Sequence, residues 1–135
     1  MNDSSQKRIL MIEDNIPFTK ILSKFLQTKG YAMLVAENGM QGIQLAKQAM
    51  PDLILLDLML PGLDGHKVCR LIKYDQKIGH IPVVILTSRD LEEDAELAKK
   101  HGADAFVVKT THRQILLDVI QKLLKRSEEK AQEKE

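Results

Sequence analysis

Tryptophan is absent, and Cys69 is the only cysteine in 135 residues. A lone thiol can close no internal disulfide and form no Cys-x-x-Cys site, which favours a reducing compartment. The four histidines, His66, His80, His101 and His112, are scattered with no His-Glu-x-x-His spacing, so no zinc site is expected. Charge of one sign is lacking too. The formal net charge is +1, which gives no bulk electrostatic pull toward nucleic acid or a membrane surface. No apolar stretch approaches the roughly 20 residues that span a bilayer. The polar start of the chain and the short apolar run at 9–12 do not make a signal peptide. There is no repeat at solenoid period and no low-complexity block. The cytoplasm is the expected location.

What remains is the composition of one globular domain, 44% hydrophobic and 29% charged, long enough to bury a core without staples. Short apolar runs alternate with longer stretches of helical period. The runs are Ile9–Ile12, Tyr31–Ala36, Leu53–Leu56, Val83–Leu86 and Ala105–Val108. Phe18, Ile21, Leu22, Phe25 and Leu26 repeat at helical spacing after the first run, with Pro17 near the first turn, where proline is tolerated. Gly30 punctuates that helix and Pro51 stops the second. Val68, Leu71 and Ile72 mark a third. A fourth, rich in Ala, Glu and Lys, spans roughly 90–101, with Gly102 as a C-cap. Its Lys and Glu residues read as a solvated face. Ile115 to Leu124 carry the fifth. Leu53–Leu56 is continuously apolar rather than alternating, the pattern of a strand buried on both faces in a parallel sheet. Five strand-helix pairs in strict order predict an α/β three-layer sandwich, a parallel sheet covered by helices on both sides. Residues 1–6 read as a disordered tail, 7–126 as the domain, and 127–135 as a charged tail or an extension of the last helix.

Open parallel sheets bind their ligands beyond the carboxyl ends of the strands. Glu13 and Asp14 follow the first run, Asp57 the third, Thr87 the fourth and Lys109 the fifth. Three carboxylates, a hydroxyl and an ammonium are thereby expected on one edge. Clustered carboxylates repel unless a cation neutralises them, and a hard divalent ion such as Mg²⁺ suits an all-oxygen set. Asp57 is then placed to act as a nucleophile toward a phosphoryl donor. The metal, Lys109, the Thr87 hydroxyl and loop N–H groups can meet the charge on the transferring group.

Glu13-Asp14, Asp57, Thr87 and Lys109 at those strand ends, with Asp57-Leu58-Met59-Leu60-Pro61-Gly62-Leu63-Asp64-Gly65 after the third strand, resemble the receiver domain of two-component response regulators. The resemblance covers roughly 7–126 and is to the single-domain chemotaxis type. It implies a flavodoxin-like fold with strand order 2-1-3-4-5, an order for which a chemotaxis member of this family is a standard example. It further implies that Asp57 accepts a phosphoryl group from a phosphohistidine of a sensor kinase or phosphotransfer protein. Glu13, Asp14, Asp57 and the Met59 backbone carbonyl would organise Mg²⁺, with Mn²⁺ as a substitute. Thr87 would bond a phosphoryl oxygen, and Lys109 would pair with Asp57 or the phosphoryl group. Thr87 and Phe106 would move together as a switch and reshape the face of helix 4, strand 5 and helix 5, the docking face for a downstream protein. Such a domain catalyses only its own phosphorylation and dephosphorylation and is otherwise not an enzyme. A monomer or weak dimer is expected, with no direct contact to nucleic acid or membrane.

Two features depart from the family pattern or tune it. Thr110 follows Lys109 where the family usually has proline, often after a cis peptide. A trans or a strained bond is therefore expected here. Met59 and Arg89 stand where the family tunes the lifetime of the phosphoryl group. A thioether does not hold an attacking water well and an arginine can cover the phosphoryl group, so slow self-hydrolysis is expected. Each residue also has a plainer reading: Asp14 or Asn15 as a cap of the first helix, Thr87 or Ser88 as a cap of the fourth, Lys109 as a solvated strand end, Phe106 and Cys69 as core. The competing functional readings are a receiver-like interaction module that is never phosphorylated and a flavin-binding domain of similar topology. The acidic Glu13-Asp14-Asn15 loop would repel a flavin phosphate.

Overall fold

The computed structural model describes residues 6–89 and 91–133, so the expected N-terminal tail lies outside the described residues except for Gln6. Five strands form one parallel sheet: β1 (Arg8–Ile12), β2 (Ala32–Ala36), β3 (Leu53–Leu56), β4 (Val83–Thr87) and β5 (Ala105–Val108). Their order is β2-β1-β3-β4-β5. The helices between and after them are α1 (Ile16–Thr28), α2 (Gly39–Ala49), α3 (Gly65–Lys73), α4 (Glu92–Lys100) and α5 (Arg113–Glu133). This is the flavodoxin-like arrangement implied by the resemblance.

Side chains alternate across a strand, and the core divides accordingly. Ile9, Met11, Leu53, Leu55, Val84 and Leu86 face one side, against Leu22 and Leu26 of α1 and Leu116, Ile120 and Leu124 of α5. Leu10, Ile12, Ile54, Leu56, Val83 and Ile85 face the other, against Ala46 of α2, Val68 and Ile72 of α3 and Ala98 of α4. Every residue of β3 is buried, which is why its run is apolar without alternation. Each such Leu or Ile contributes about 1.5–3 kcal/mol by leaving water. That is ample to fix register where a one-residue slip would exchange the two faces.

Local signals set the helix ends. The Asn15 side chain accepts from Phe18 N–H and Pro17 sits in the first turn, so α1 begins there. Asn38 caps α2 in the same way, through Gln41 N–H. Asp64 caps α3 through His66 N–H. The fourth helix starts at Glu92, later than the sequence suggests. Leu91 is its N-cap with no side-chain bond, while Thr87 completes β4 rather than capping α4. Gly102, at φ +91°, takes the left-handed turn just past the His101 cap. Helix α5 continues through Glu133, and Glu128 pairs with Lys7 at 3.0 Å. None of the described helices is long and apolar enough to cross a membrane.

Candidate functional site

The sheet ladder runs one residue past three strand ends. Glu13 N–H donates to Ala36 O at 2.9 Å, Asp57 N–H to Ile12 O at 3.1 Å, and Lys109 N–H to Thr87 O at 2.7 Å. Parallel registry places Ile12 beside Leu56 and Leu56 beside Ile85. Glu13, Asp57 and Lys109 therefore leave the sheet at one edge with their backbones held. Carboxylate oxygens of Glu13, Asp14 and Asp57 lie within 4.8 Å of one another. Asp14 is exposed, whereas Glu13 and Asp57 are buried.

Lys109 bridges the two buried acids, with Nζ 2.6 Å from Glu13 Oε1 and 3.5 Å from Asp57 Oδ2. The same ammonium lies 4.4 Å from the centroid of the Phe18 ring, a cation–π contact. Asn15 N–H donates to Glu13 Oε2 at 3.0 Å, and Met59 N–H to Asp57 Oδ1 at 3.1 Å. Burial pushes the Glu13 carboxyl above its usual range, even though Lys109 and the Asn15 N–H hold it down, and the Asp57 charge raises it further. Three carboxylates against one ammonium leave two negative charges when all are ionised. The donors are all hard oxygens, so the set fits a divalent cation of the magnesium type.

The loop after β3 is tightly closed. A Cβ on Gly65 would stand 2.6 Å from Leu58 O and 2.7 Å from Asp57 O, so only glycine lets α3 start this close to the acidic strand end. Met59 is exposed, with its sulfur 4.0 Å from Ser88 Oγ. Thr87 is fully buried at the end of β4, and its Oγ1 accepts from Arg89 N–H at 3.3 Å. Phe106 is half-buried, paired in register with Ile85, and packs against the cluster under α2, α3 and α4. The Arg89 guanidinium is turned to Asp94, with Nε 2.7 Å from Oδ2 and Nη2 2.9 Å from Oδ1. No cis peptide occurs among the described residues, so Lys109-Thr110 is trans.

The structure thus gathers Glu13, Asp14, Asp57 and Lys109 into one cluster and sets Thr87 at the neighbouring strand end. It commits Arg89 to Asp94. Sequence reasoning missed three participants. Phe18 reads as one more apolar residue of a helical stripe. Asp94, at the end of Glu92-Glu93-Asp94, reads as an acidic first turn that complements the helix dipole. Unlike its exposed neighbours it is buried, and His66, buried on α3, bonds it at 3.0 Å.

The family model for the response regulator receiver domain matches residues 9–121. Protein PilH of Pseudomonas aeruginosa is 36% identical over 117 residues, which are 87% of this chain and 97% of PilH. The DNA-binding response regulator MtrA of Mycolicibacterium smegmatis is 33% identical over 97% of this chain, which spans only 56% of that longer protein. Among solved structures, the receiver domain of a Pseudomonas aeruginosa sensor histidine kinase, with a magnesium ion coordinated in its active site cleft, is 28% identical. It superposes with a TM-score of 0.81 over 89% of this chain and 98% of its own. The beryllofluoride-activated N-terminal receiver domain of Klebsiella pneumoniae RstA is 30% identical, with a TM-score of 0.81 over 87% and 98%. By fold, by site and by these relatives, the chain belongs to the response regulator receiver domains of two-component signalling.

Proposed function

We propose that Asp57 accepts a phosphoryl group from a phosphohistidine on a sensor kinase or histidine phosphotransfer protein. The observation that carries this reading is the convergence of Glu13, Asp14 and Asp57, with Lys109 bridging the two buried acids. In the transfer, an Asp57 carboxylate oxygen bonds phosphorus as the phosphorus–nitrogen bond to the donor imidazole breaks. Lys109 meets charge on Asp57 or on the phosphoryl group, the Met59 N–H already points at Asp57, and the Thr87 hydroxyl bonds a phosphoryl oxygen. Glu13, Asp14, Asp57 and the Met59 carbonyl would hold Mg²⁺, or Mn²⁺ in its place. The ion supplies charge neutralisation at the transferring group.

Phosphorylation then draws Thr87 and Phe106 toward their second arrangement and alters the α4–β5–α5 face, which docks a downstream protein. Met59 and Arg89 tune the lifetime. The exposed thioether offers an attacking water no effective hydrogen bond, so self-hydrolysis is slow, and loss of the acyl phosphate within seconds would sink that part. The protein acts in the cytoplasm as a monomer or weak dimer, without direct contact to nucleic acid or membrane.

The test is intact mass after incubation with acetyl phosphate, with and without Mg²⁺, on wild type and Asp57→Asn. A Mg²⁺-dependent gain of one phosphoryl group that the variant lacks supports the reading. No gain under any condition favours a receiver-like interaction module that binds its partners without phosphorylation.

A further inference from the structure

Asp94 is unusual among the acidic residues of the α4 first turn in being buried. Glu92 and Glu93 beside it are exposed, as a solvated first turn requires, but Asp94 is only 5% exposed. Its carboxylate does not cap α4; the N-cap is Leu91, which makes no side-chain bond. Both oxygens go instead to other side chains. Arg89 takes them as a fork, at 2.7 and 2.9 Å, and His66 Nε2 lies 3.0 Å from Oδ1. The Arg89 hydrogen bonds, with help from His66, hold the Asp94 carboxyl below its usual range, so it is ionised and accepts only. His66 Nε2 is then the donor. The His66 ring is itself braced edge-on against His101, with centroids 5.9 Å apart. The buried carboxylate is thus fixed from α3 and presents one fork-shaped seat for a guanidinium.

Arg89 has a second possible occupation. It stands two residues past Thr87, and its N–H bonds the Thr87 hydroxyl oxygen. The strand before it is the direct neighbour of the strand before Asp57. A phosphoryl group on Asp57 would carry about −1.5 to −2 charge at neutral pH and would attract a guanidinium as a bidentate partner. The resting geometry decides between the two seats. Arg89 is itself partly exposed, but taking it away would leave the buried Asp94 carboxylate with His66 alone, and an undercompensated buried carboxylate is unfavourable. A phosphoryl group at the sheet edge, with Lys109 already beside Asp57, is far less dependent on this one cation.

We propose that Asp94, oriented by His66, is a positioning residue that holds Arg89 off the phosphoryl group and thereby shortens the life of the acyl phosphate. This rests on Asp57 being the phosphoacceptor. In hydrolysis a water oxygen bonds phosphorus while the bond to the Asp57 oxygen breaks, releasing inorganic phosphate and one proton. An Arg89 freed from Asp94 lies across the open side of the phosphoryl group and blocks that water. Held on Asp94, it leaves the path clear.

Four proteins and one crystal test this. Wild type, Asp94→Asn and the double variant Asp94→Asn/Arg89→Ala, with Arg89→Ala as reference, are phosphorylated with acetyl phosphate, and loss of the added mass is followed. Asp94→Asn is expected to lengthen the half-life threefold or more, and the double variant to return to the Arg89→Ala value. A merely structural Asp94 would act alike with and without Arg89. A half-life in Asp94→Asn within twofold of wild type overturns the proposal, as does a lengthening that persists without Arg89. If wild type gains no mass, the phosphoacceptor reading itself fails and takes this proposal with it. The crystal needs no variant: wild type with beryllofluoride on Asp57 is expected to keep Arg89 forked on Asp94. Arg89 found on the fluorines would overturn the assignment.

Discussion

Replacing Lys109 by Met keeps an unbranched stem, one atom shorter, and removes the charge, which tests what the ammonium does for Glu13 and Asp57. At an effective dielectric of about 20, an ion pair is worth about 6 kcal/mol at the 2.6 Å separation from Glu13 and about 5 kcal/mol at the 3.5 Å separation from Asp57. Desolvation of the three groups cancels much of that gross attraction. Removing one partner of a buried pair usually costs about 3–5 kcal/mol, because the other is left uncompensated. Here two carboxylates are left, and their mutual repulsion sets the loss at no less than about 3 kcal/mol in Mg²⁺-free buffer at pH 7. In a domain of this size that lowers Tm by about 10 °C. The assay is thermal unfolding by circular dichroism, with and without Mg²⁺. The metal is expected to narrow the gap, since it supplies the missing positive charge. Acid is expected to narrow it too. Burial raises the Glu13 carboxyl, so the folded protein takes up that proton more readily than the unfolded chain, and the repulsion fades as pH falls through the raised value. Adding Glu13→Gln to the variant removes one repelling charge and should recover part of the loss. A Lys109→Met protein that melts within about 3 °C of wild type without Mg²⁺ would refute the claim that this charge holds the acidic pair together.

Phe18→Leu keeps an apolar, though smaller, side chain but loses the ring face under Lys109. The expected result is a stability loss of no more than about 1 kcal/mol and a slower phosphoryl uptake from acetyl phosphate, read by intact mass against time. Gly65→Ala drives a methyl into the carbonyl oxygens of Asp57 and Leu58. Urea unfolding should show a loss of about 1–3 kcal/mol, as overpacking gives. Cys69 is fully buried, and burial pushes its thiol up to about 11. Ellman's reagent at pH 8 should leave it untouched in the native protein and label it once in denaturant.

How much of this was legible beforehand depends on whether the signal was local. Leu53–Leu56 announces a central parallel strand because both of its faces need apolar residues, and the fold follows from five such runs. Glu13, Asp57, Thr87 and Lys109 were readable because strand ends of a parallel sheet share one edge. The sheet order came only through family resemblance, since alternation of strands and helices is satisfied by several orders. Phe18 stayed hidden because its apolar character fits a core helix equally well, and only the third dimension brings Lys109 over its ring. Asp94 stayed hidden for a sharper reason. Its partners Arg89 and His66 are 5 and 28 residues away, and an acidic residue in a first helical turn already has a sufficient local explanation. His66 likewise fits a helix start, and nothing in its neighbours predicts burial.

The trans Lys109-Thr110 bond, with no proline after the lysine, raises the question of what aims Lys109. Part of the answer lies in β5 itself: the ladder bond from Lys109 N–H to Thr87 O fixes its Cα, and Thr111 N–H to Val108 O turns the chain straight after it. The rest comes from the start of α1, through contacts that form a closed circuit. Glu13 Oε2 accepts from Asn15 N–H, Asn15 Oδ1 accepts from Phe18 N–H, the Phe18 ring faces Lys109 Nζ, and Lys109 Nζ returns to Glu13 Oε1. The cap that begins α1 is therefore also the support that carries an aromatic ring to the Lys109 ammonium. Each member is weak alone, a cap worth about 1 kcal/mol and a cation–π contact worth 0.5–2 kcal/mol. Joined in a ring they constrain one another, because moving Lys109 strains the cap and breaking the cap frees Phe18. A rigid proline fixes an angle at one residue. This chain distributes the same task over four side chains, three of which lie within six residues of the first strand end.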